Sequence, residues 1–419
     1  MTFASATMSD GASFERPFGG VLRVRPRLGF LFVLTIPICA ALAAVKEVTV
    51  AGFEVPLYLL GFILLASCVT VLVEKAMNRD HHAGIAPFWA WIAWFGYVWL
   101  SLLWKMDLAT RDIQFAMQLS LPLLVGMVAS MFVTSRRQLD SLRRVYPVAL
   151  VIIVVILLLQ QWNLFGLLQT SARQTALTVA LISAVFLAET PARVTRPLLG
   201  WGVCAAVCAL TESRMALLIV LALPAVHPAY RRPLRRFGVL LAIGGLCIGL
   251  LYTSPVQQQL FPGGRGGVSD LLGGGVTGTG RFEAWPLIFA EAQERPVLGA
   301  GANASYNFVP TIWPGMVSPH NEYLRIGFEF GLVGLSIFLL VVVWQLAVLR
   351  RWIDRSHGSV HRAFTASFLG LVVLLIAACT DNPLGYSIGL GCPLFALIGA
   401  AHGVSRHEAR ASLHLSERL

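Results

Sequence analysis

One histidine and four arginines carry the chemistry this sequence can offer. His320 stands in SPHNEYLRIGFEFG, residues 318–331, just before a long apolar run. Arg173 in SARQTALT, Arg214 in TESRMALL, Arg281 in GTGRFEAW and Arg325 in the histidine's own stretch each lie at the edge of an apolar run. An imidazole can take a proton from a hydroxyl as that hydroxyl attacks. Guanidinium groups bind phosphate oxygens bidentately and keep their charge, so several at one level suit a diphosphate. The competing reading is ordinary: a lone loop histidine is usually just polar, and edge arginines snorkel or pair with Glu212, Glu283, Glu322 and Glu329. Glu322 and Glu329 stand at i−3 and i+4 from Arg325, the spacing of helical ion pairs.

These residues need elements to hold them. Ser318 can cap a helix, Pro319 fits a first helical position, and His320 then falls in the first turn. The positive end of the helix dipole favours an imidazole able to accept a proton, while Glu322 pulls the other way. Asn321 adjoins His320 as an orienting candidate. Asp381, in CTDNP between the last two apolar runs, could orient His320 or an acceptor hydroxyl, or could cap its own loop. In RFEAWPLIFAEAQERP, residues 281–296, Trp285, Ile288, Phe289 and Ala292 recur at i, i+3, i+4 and i+7. That spacing predicts an amphipathic helix lying on a membrane surface, with Trp285 near the headgroups. The preceding FPGGRGGVSDLLGGGVTGTG is too rich in glycine to be regular and reads as a loop.

Composition supplies the setting. The chain has 419 residues, 57% hydrophobic and only 13% charged, with a mean hydropathy of +0.73. A soluble domain carries about 25% charged residues. Twelve apolar runs can span a bilayer: 28–45, 53–73, 85–104, 113–133, 145–162, 172–188, 197–212, 215–230, 237–253, 323–349, 363–380 and 384–403. The expected fold is therefore an all-α integral membrane protein of about twelve transmembrane helices. The formal charge of +11 follows the connections. With both ends inside, 23 of the 32 basic residues fall on inner segments, and every inner segment contributes. That is the positive-inside bias, so the charge speaks for topology and not for nucleic acid.

This orientation divides the chain into an inner tail (1–27), spans one to nine (28–253), an outer loop (254–322), spans ten to twelve (323–403) and a second inner tail (404–419). In a Gram-negative cell the outer side is the periplasm and the membrane is the inner one. His320 then becomes the only one of nine histidines on the outer face, together with Arg173, Arg214, Arg281 and Arg325. The first apolar run follows a polar lead and lacks a small-residue cleavage site, so it reads as a retained span. All seven cysteines lie inside apolar runs without a CxxC, which argues against disulfides and a metal site. No paired carboxylates appear in the first outer loop, so no metal or other cofactor is expected.

The motifs point further as a set. His320, Asn321, Leu324 and Gly331 spell His-[Asn/Ser]-x-x-Leu-x6-Gly. About 40 residues earlier stands Gly-Arg-x3-Trp (Gly280, Arg281, Trp285), followed by Pro-x-Leu-Gly-x-Gly over 296–301, and Ser213-Arg214 ends an earlier apolar run. This set resembles the O-antigen ligase family, which includes O-antigen polymerases and protein O-oligosaccharyltransferases. The resemblance covers the topology and about 150 residues of motif-bearing sequence. Around Arg173 the family often has Arg-Asn-Pro-Asn-Gly-like residues where this chain has Arg-Gln-Thr-Ala.

The resemblance implies a GT-C-like membrane glycosyltransferase. It would move a glycan from undecaprenyl diphosphate to lipid A–core oligosaccharide at the periplasmic face, among membrane lipids. His320 would be the general base, Arg214 and Arg281 diphosphate ligands, and Arg173 and Arg325 secondary ligands. Direct attack by the acceptor hydroxyl predicts inversion at the anomeric carbon. Two alternatives stand beside the ligase. One is a polymerase of the same family. The other is a lipid or solute transporter, against which count the absence of an inverted repeat and the scarcity of charge in span centres.

Overall fold

The computed structural model describes residues 27–45, 49–50, 53–77, 86–161, 171–189, 195–211, 213–229 and 281–416, with isolated positions between 238 and 266. The inner tail up to residue 26, His81 and His82, Glu212, the basic cluster 231–236, the glycine-rich stretch with Gly280 and most of the expected span 237–253 lie outside the described residues.

Regular structure among the described residues is helical, apart from a hairpin of two two-residue strands, β1 (Thr49–Val50) and β2 (Phe53–Glu54). The first part of the chain forms α1 (Arg27–Leu42), α2 (Val55–Met77), α3 (Trp89–Leu100) and α4 (Thr110–Phe132). Next come α5 (Arg136–Gln161), α6 (Ala172–Leu187), α7 (Thr195–Leu210) and α8 (Arg214–Val226). Two short helices, α9 (Arg281–Ala292) and α10 (Ala304–Ile312), precede α11 (Glu322–Arg355), α12 (Gly358–Ala377) and α13 (Cys392–Ser416).

Five runs among the described residues are long and apolar enough to cross a membrane: α4, α5, α11, α12 and Ser387–Leu413, which takes in α13. Six shorter apolar helices lie where six other spans were expected. The chain is a multi-pass membrane protein, and its surface agrees. Val148 and Val151 on α5 and Leu340 and Val343 on α11 are all exposed, Leu340 to 69%. Such apolar faces are stable where the solvent is lipid. Inside, aromatic side chains tie α3, α11 and α13 together, with Trp91 against Phe395 at 5.1 Å and Trp94 against Phe338 at 5.3 Å. The Trp91 indole N–H donates to Gln345 Oε1 at 3.1 Å, so its one polar atom is satisfied in the core.

α11 is broken at Gly331, which has φ 63° and ψ −168°, a conformation essentially confined to glycine. The break frees amides and carbonyls, and the turn over 296–301 fills it. The amides of Ala300 and Gly301 donate to the carbonyls of Phe328 (2.9 Å) and Glu329 (2.8 Å). The amides of Leu332 and Val333 donate to the carbonyls of Pro296 (2.8 Å) and Val297 (3.2 Å). A Cβ at Gly331 would overlap the Val297 carbonyl, and one at Gly299 (φ 72°) would overlap the Glu329 backbone. The Pro-x-Leu-Gly-x-Gly motif is thus a backbone plug in a split helix, and its glycines are there for close approach.

The plug seats α9 and α10. Ala284 and Ile288 of α9 are fully buried beside Val309, Met316 and Phe328. Phe289 of the same helix is 57% exposed.

Candidate functional site

His320 lies one residue outside α11 and not in its first turn. Asn321 is the N-cap, with its side-chain oxygen accepting from the Leu324 amide at 3.0 Å. The expected cap at Ser318 is therefore corrected by three residues. His320 has φ 50°, a left-handed conformation that cannot continue a helix but that histidine tolerates better than most residues. Its neighbours are pinned. The Trp285 indole N–H donates to the Pro319 carbonyl at 2.7 Å, and the Glu322 amide donates to the Ala378 carbonyl at 2.8 Å. Trp285 thus serves the histidine loop through its N–H. Asn321 is engaged as a cap through its side-chain oxygen.

Asp381 comes from the other side, in the turn after α12. His320 Nδ1 is 3.5 Å from its Oδ1. The same oxygen accepts the Asn382 amide at 2.9 Å and the Tyr386 hydroxyl at 3.2 Å. Burial alone would raise this carboxyl. The hydrogen bonds from His320 and Asn382 and the charge of Arg173 outweigh it and hold Asp381 below the usual carboxylate range. Asp381 therefore caps its loop, and the same carboxylate lies within ion-pair distance of the imidazole.

Arg173, on the first turn of α6, also reaches the ring. Its Nη1 is 2.9 Å from His320 Nδ1 and 3.1 Å from Nε2. With Nδ1–H assigned toward Asp381, Nε2 carries the lone pair and accepts from Arg173. Arg281, at the start of α9, donates from Nη1 to the Thr380 carbonyl at 3.0 Å, next to Asp381. Burial lowers its affinity for its proton, and Arg173 and Arg214 lower it further against the opposing pull of Asp381 and Tyr386. Three guanidinium groups thus feel one another at one site, an arrangement that favours an anion among them.

Arg325 is elsewhere. It is fully buried, donates from Nε to Glu322 Oε1 at 2.8 Å and from Nη1 to Glu329 Oε2 at 2.6 Å, and stacks over Phe115 at 5.0 Å. Ser305 donates to Glu329 Oε1 at 2.6 Å. This triad binds α10 and α4 to the N-terminal part of α11. Arg325 is therefore corrected from secondary phosphate ligand to structural ion pair, because both of its carboxylates are already in place and no solvent reaches it. Two contributors escaped the sequence reading: Tyr386, five residues after Asp381, and Gln118 of α4, which donates to the Gly385 carbonyl at 2.8 Å and holds that loop. Only its place in the same loop as Asp381 could have flagged Tyr386, and nothing local marks Gln118.

Beside the cluster runs a cavity of about 840 Å³ between α9 and α11. It starts at Asn321 and Trp285 and continues along Phe289, Leu324, Leu332 and Leu335. A polar site with an apolar trough leading from it suits a molecule with a charged head and a hydrocarbon tail.

Fold and site together define a helical membrane protein with a polar, base-and-arginine centre at one end of its bundle. Residues 198–339 match the family model described as O-antigen ligase, a segment that includes Arg214, Arg281 and His320. Over that segment the chain is similar to the O-antigen ligase family. No curated protein matches it. The likeness supports a general enzyme role of the glycosyltransferase-like kind.

Proposed function

We propose that this protein is an O-antigen ligase, moving a glycan from undecaprenyl diphosphate to a hydroxyl of lipid A–core oligosaccharide. The observation that carries the reading is the single cluster formed by His320, Asp381 and Arg173, with Arg281 and Arg214 beside it. The chain would sit in the bacterial inner membrane with about twelve spans and both termini cytoplasmic, and its site would face the periplasm.

In this reading the acceptor hydroxyl oxygen attacks the anomeric carbon as the bond from that carbon to the diphosphate oxygen breaks. His320 Nε2 takes the hydroxyl proton, and Asp381 stabilises the imidazolium that forms. The departing diphosphate gains charge, which Arg281, Arg214 and Arg173 stabilise. Arg173 is exposed and its Nη1 stands within 3.1 Å of both ring nitrogens, so donor binding draws it onto the diphosphate and uncovers the base. One displacement inverts the anomeric configuration. Base and charge stabilisation both come from side chains, so the reading calls on no metal or cofactor. The apolar trough from Trp285 to Leu335 fits the isoprenoid part of the donor.

The test is reconstitution of the purified protein with lipid-linked glycan and core acceptor, with products read by mass spectrometry. Glycosylated core should form, and His320→Ala should lower its rate by about 10²–10⁴-fold. Lipid-linked polymer in place of glycosylated core would assign the protein as a polymerase. Substrate-gradient-driven transport without glycan transfer would assign it as a transporter.

A further inference from the structure

At the opposite end of the bundle from His320, a second polar cavity of about 500 Å³ opens between α5, α6 and α12. Chain direction fixes its place. α6 begins beside His320 with Arg173 and ends at Leu187, so Glu189 lies at the far end. α12 ends next to Asp381, so Arg362, near its start, lies at the far end too. α4 starts on the outer side, and α5 begins just after α4 ends, which brings Asp140, Arg143 and Arg144 to the same place.

The cavity's mouth is charged. Arg143 donates to Asp140 at 3.0 Å and pairs with Glu189. Arg362 Nε stands 3.2 Å from Glu189 Oε2, and its Nη2 stands 3.8 Å from Asp140. Arg144 is exposed on the same rim. Three guanidiniums face two carboxylates, leaving one positive charge in excess. Arg143 is 4% exposed, and its Nε has no hydrogen-bond partner among the described residues. A buried guanidinium N–H left open is costly unless something accepts from it.

Deeper in, the wall is apolar. Pro147 lies one turn inward of Arg143 along α5, and Val185 and Phe186 lie one turn inward of Glu189 along α6. Charge at the mouth and hydrocarbon behind it is the order of a phospholipid entering from its leaflet. A bare anion would have no use for the inner wall.

We infer that this cavity is a binding site for the phosphate headgroup of an anionic phospholipid in the leaflet opposite the His320 site. Arg144 and the open Arg143 N–H take the phosphate oxygens, Arg362 completes the positive rim, and Phe186 and Val185 pack the first carbons of an acyl chain. Asp140 and Glu189 hold the guanidiniums in place and limit the net attraction to about one anionic charge. The site stands independently of the glycan-transfer reading.

Purified full-length protein in detergent is titrated with phosphatidylglycerol, phosphatidylcholine and inorganic phosphate, and bound species are counted by native mass spectrometry. Phosphatidylglycerol should bind in preference to the other two. Arg144→Ala and Arg362→Gln should each weaken it about fivefold, the effect of removing one surface cation. Arg137→Ala, an exposed arginine at the same end but outside the cavity, should bind like wild type. Arg144 is exposed, so its variant keeps the ion pairs intact and the test valid even where Arg362→Gln melts early. Equal binding of phosphatidylcholine, an inorganic-phosphate affinity matching the lipid's, unchanged affinity in Arg144→Ala, or an equal loss in Arg137→Ala would each overturn the assignment.

Discussion

Asp381→Asn removes one charge from the centre while keeping its shape. In wild type the carboxylate stands 3.5 Å from His320 Nδ1. At an effective dielectric of about 20, a unit charge at that distance stabilises an imidazolium by about 5 kcal/mol. Both side chains keep some water, which leaves about 2–3 kcal/mol, or roughly 30–160-fold in kcat. Arg173 opposes this term in the structure, but in the proposed donor complex its charge is matched by the diphosphate. The loss should therefore appear in kcat for glycan transfer, with KM for the lipid-linked donor nearly unchanged. Folding of the variant is checked by its Tm. A folded Asp381→Asn protein within threefold of the wild-type kcat would refute the reasoning. The same variant carries a pH signature. Asp381 is held below its ordinary range, so the stability it contributes is fully present above about pH 4 and is lost only as pH falls through its lowered folded value. Tm measured against pH should fall less steeply below pH 4 in Asp381→Asn than in wild type.

Arg281→Ala should weaken donor binding by about 10–150-fold, the worth of a charge-assisted hydrogen bond, as measured by titration with lipid diphosphate. Arg325→Met should cost about 3–5 kcal/mol of stability, read from the unfolding midpoint, because Glu322 and Glu329 would stay buried without their cation. A wild-type Tm in that variant would return Arg325 to the list of ligands. Gly331→Ala should destabilise by at least about 1–3 kcal/mol for its backbone conformation alone, and proteolysis between α9 and α11 should accelerate.

Composition and charge made the helical membrane fold legible, and the spacing around His320, Arg281 and Arg214 made part of the centre legible. The rest depends on what tertiary packing brings together. Arg173 looked secondary because its local residues depart from the family pattern, yet the packing of α6 brings it within 2.9 Å of a histidine 147 positions away. The helix start was misplaced because Ser318 and Pro319 form a good local cap signal. The hydrogen bond from Trp285 to the Pro319 carbonyl and the left-handed His320 move that start to Asn321, and neither has a local signature. Arg325 was open to two readings from spacing alone, and full burial decided between them.

The plug in α11 also dictates an order of assembly. Residues 296–301 leave the ribosome before the strip of α11 that they pair with at 328–333, and Asp381 follows some fifty residues later. The amides and carbonyls at Gly331 can be satisfied only once both partners have reached the same side of the membrane. His320 meets Asp381 later still, after α12 has crossed back. A chain stalled or cut between His320 and Asp381 therefore holds its arginines without an oriented base, and the centre is completed only after α12 has been made.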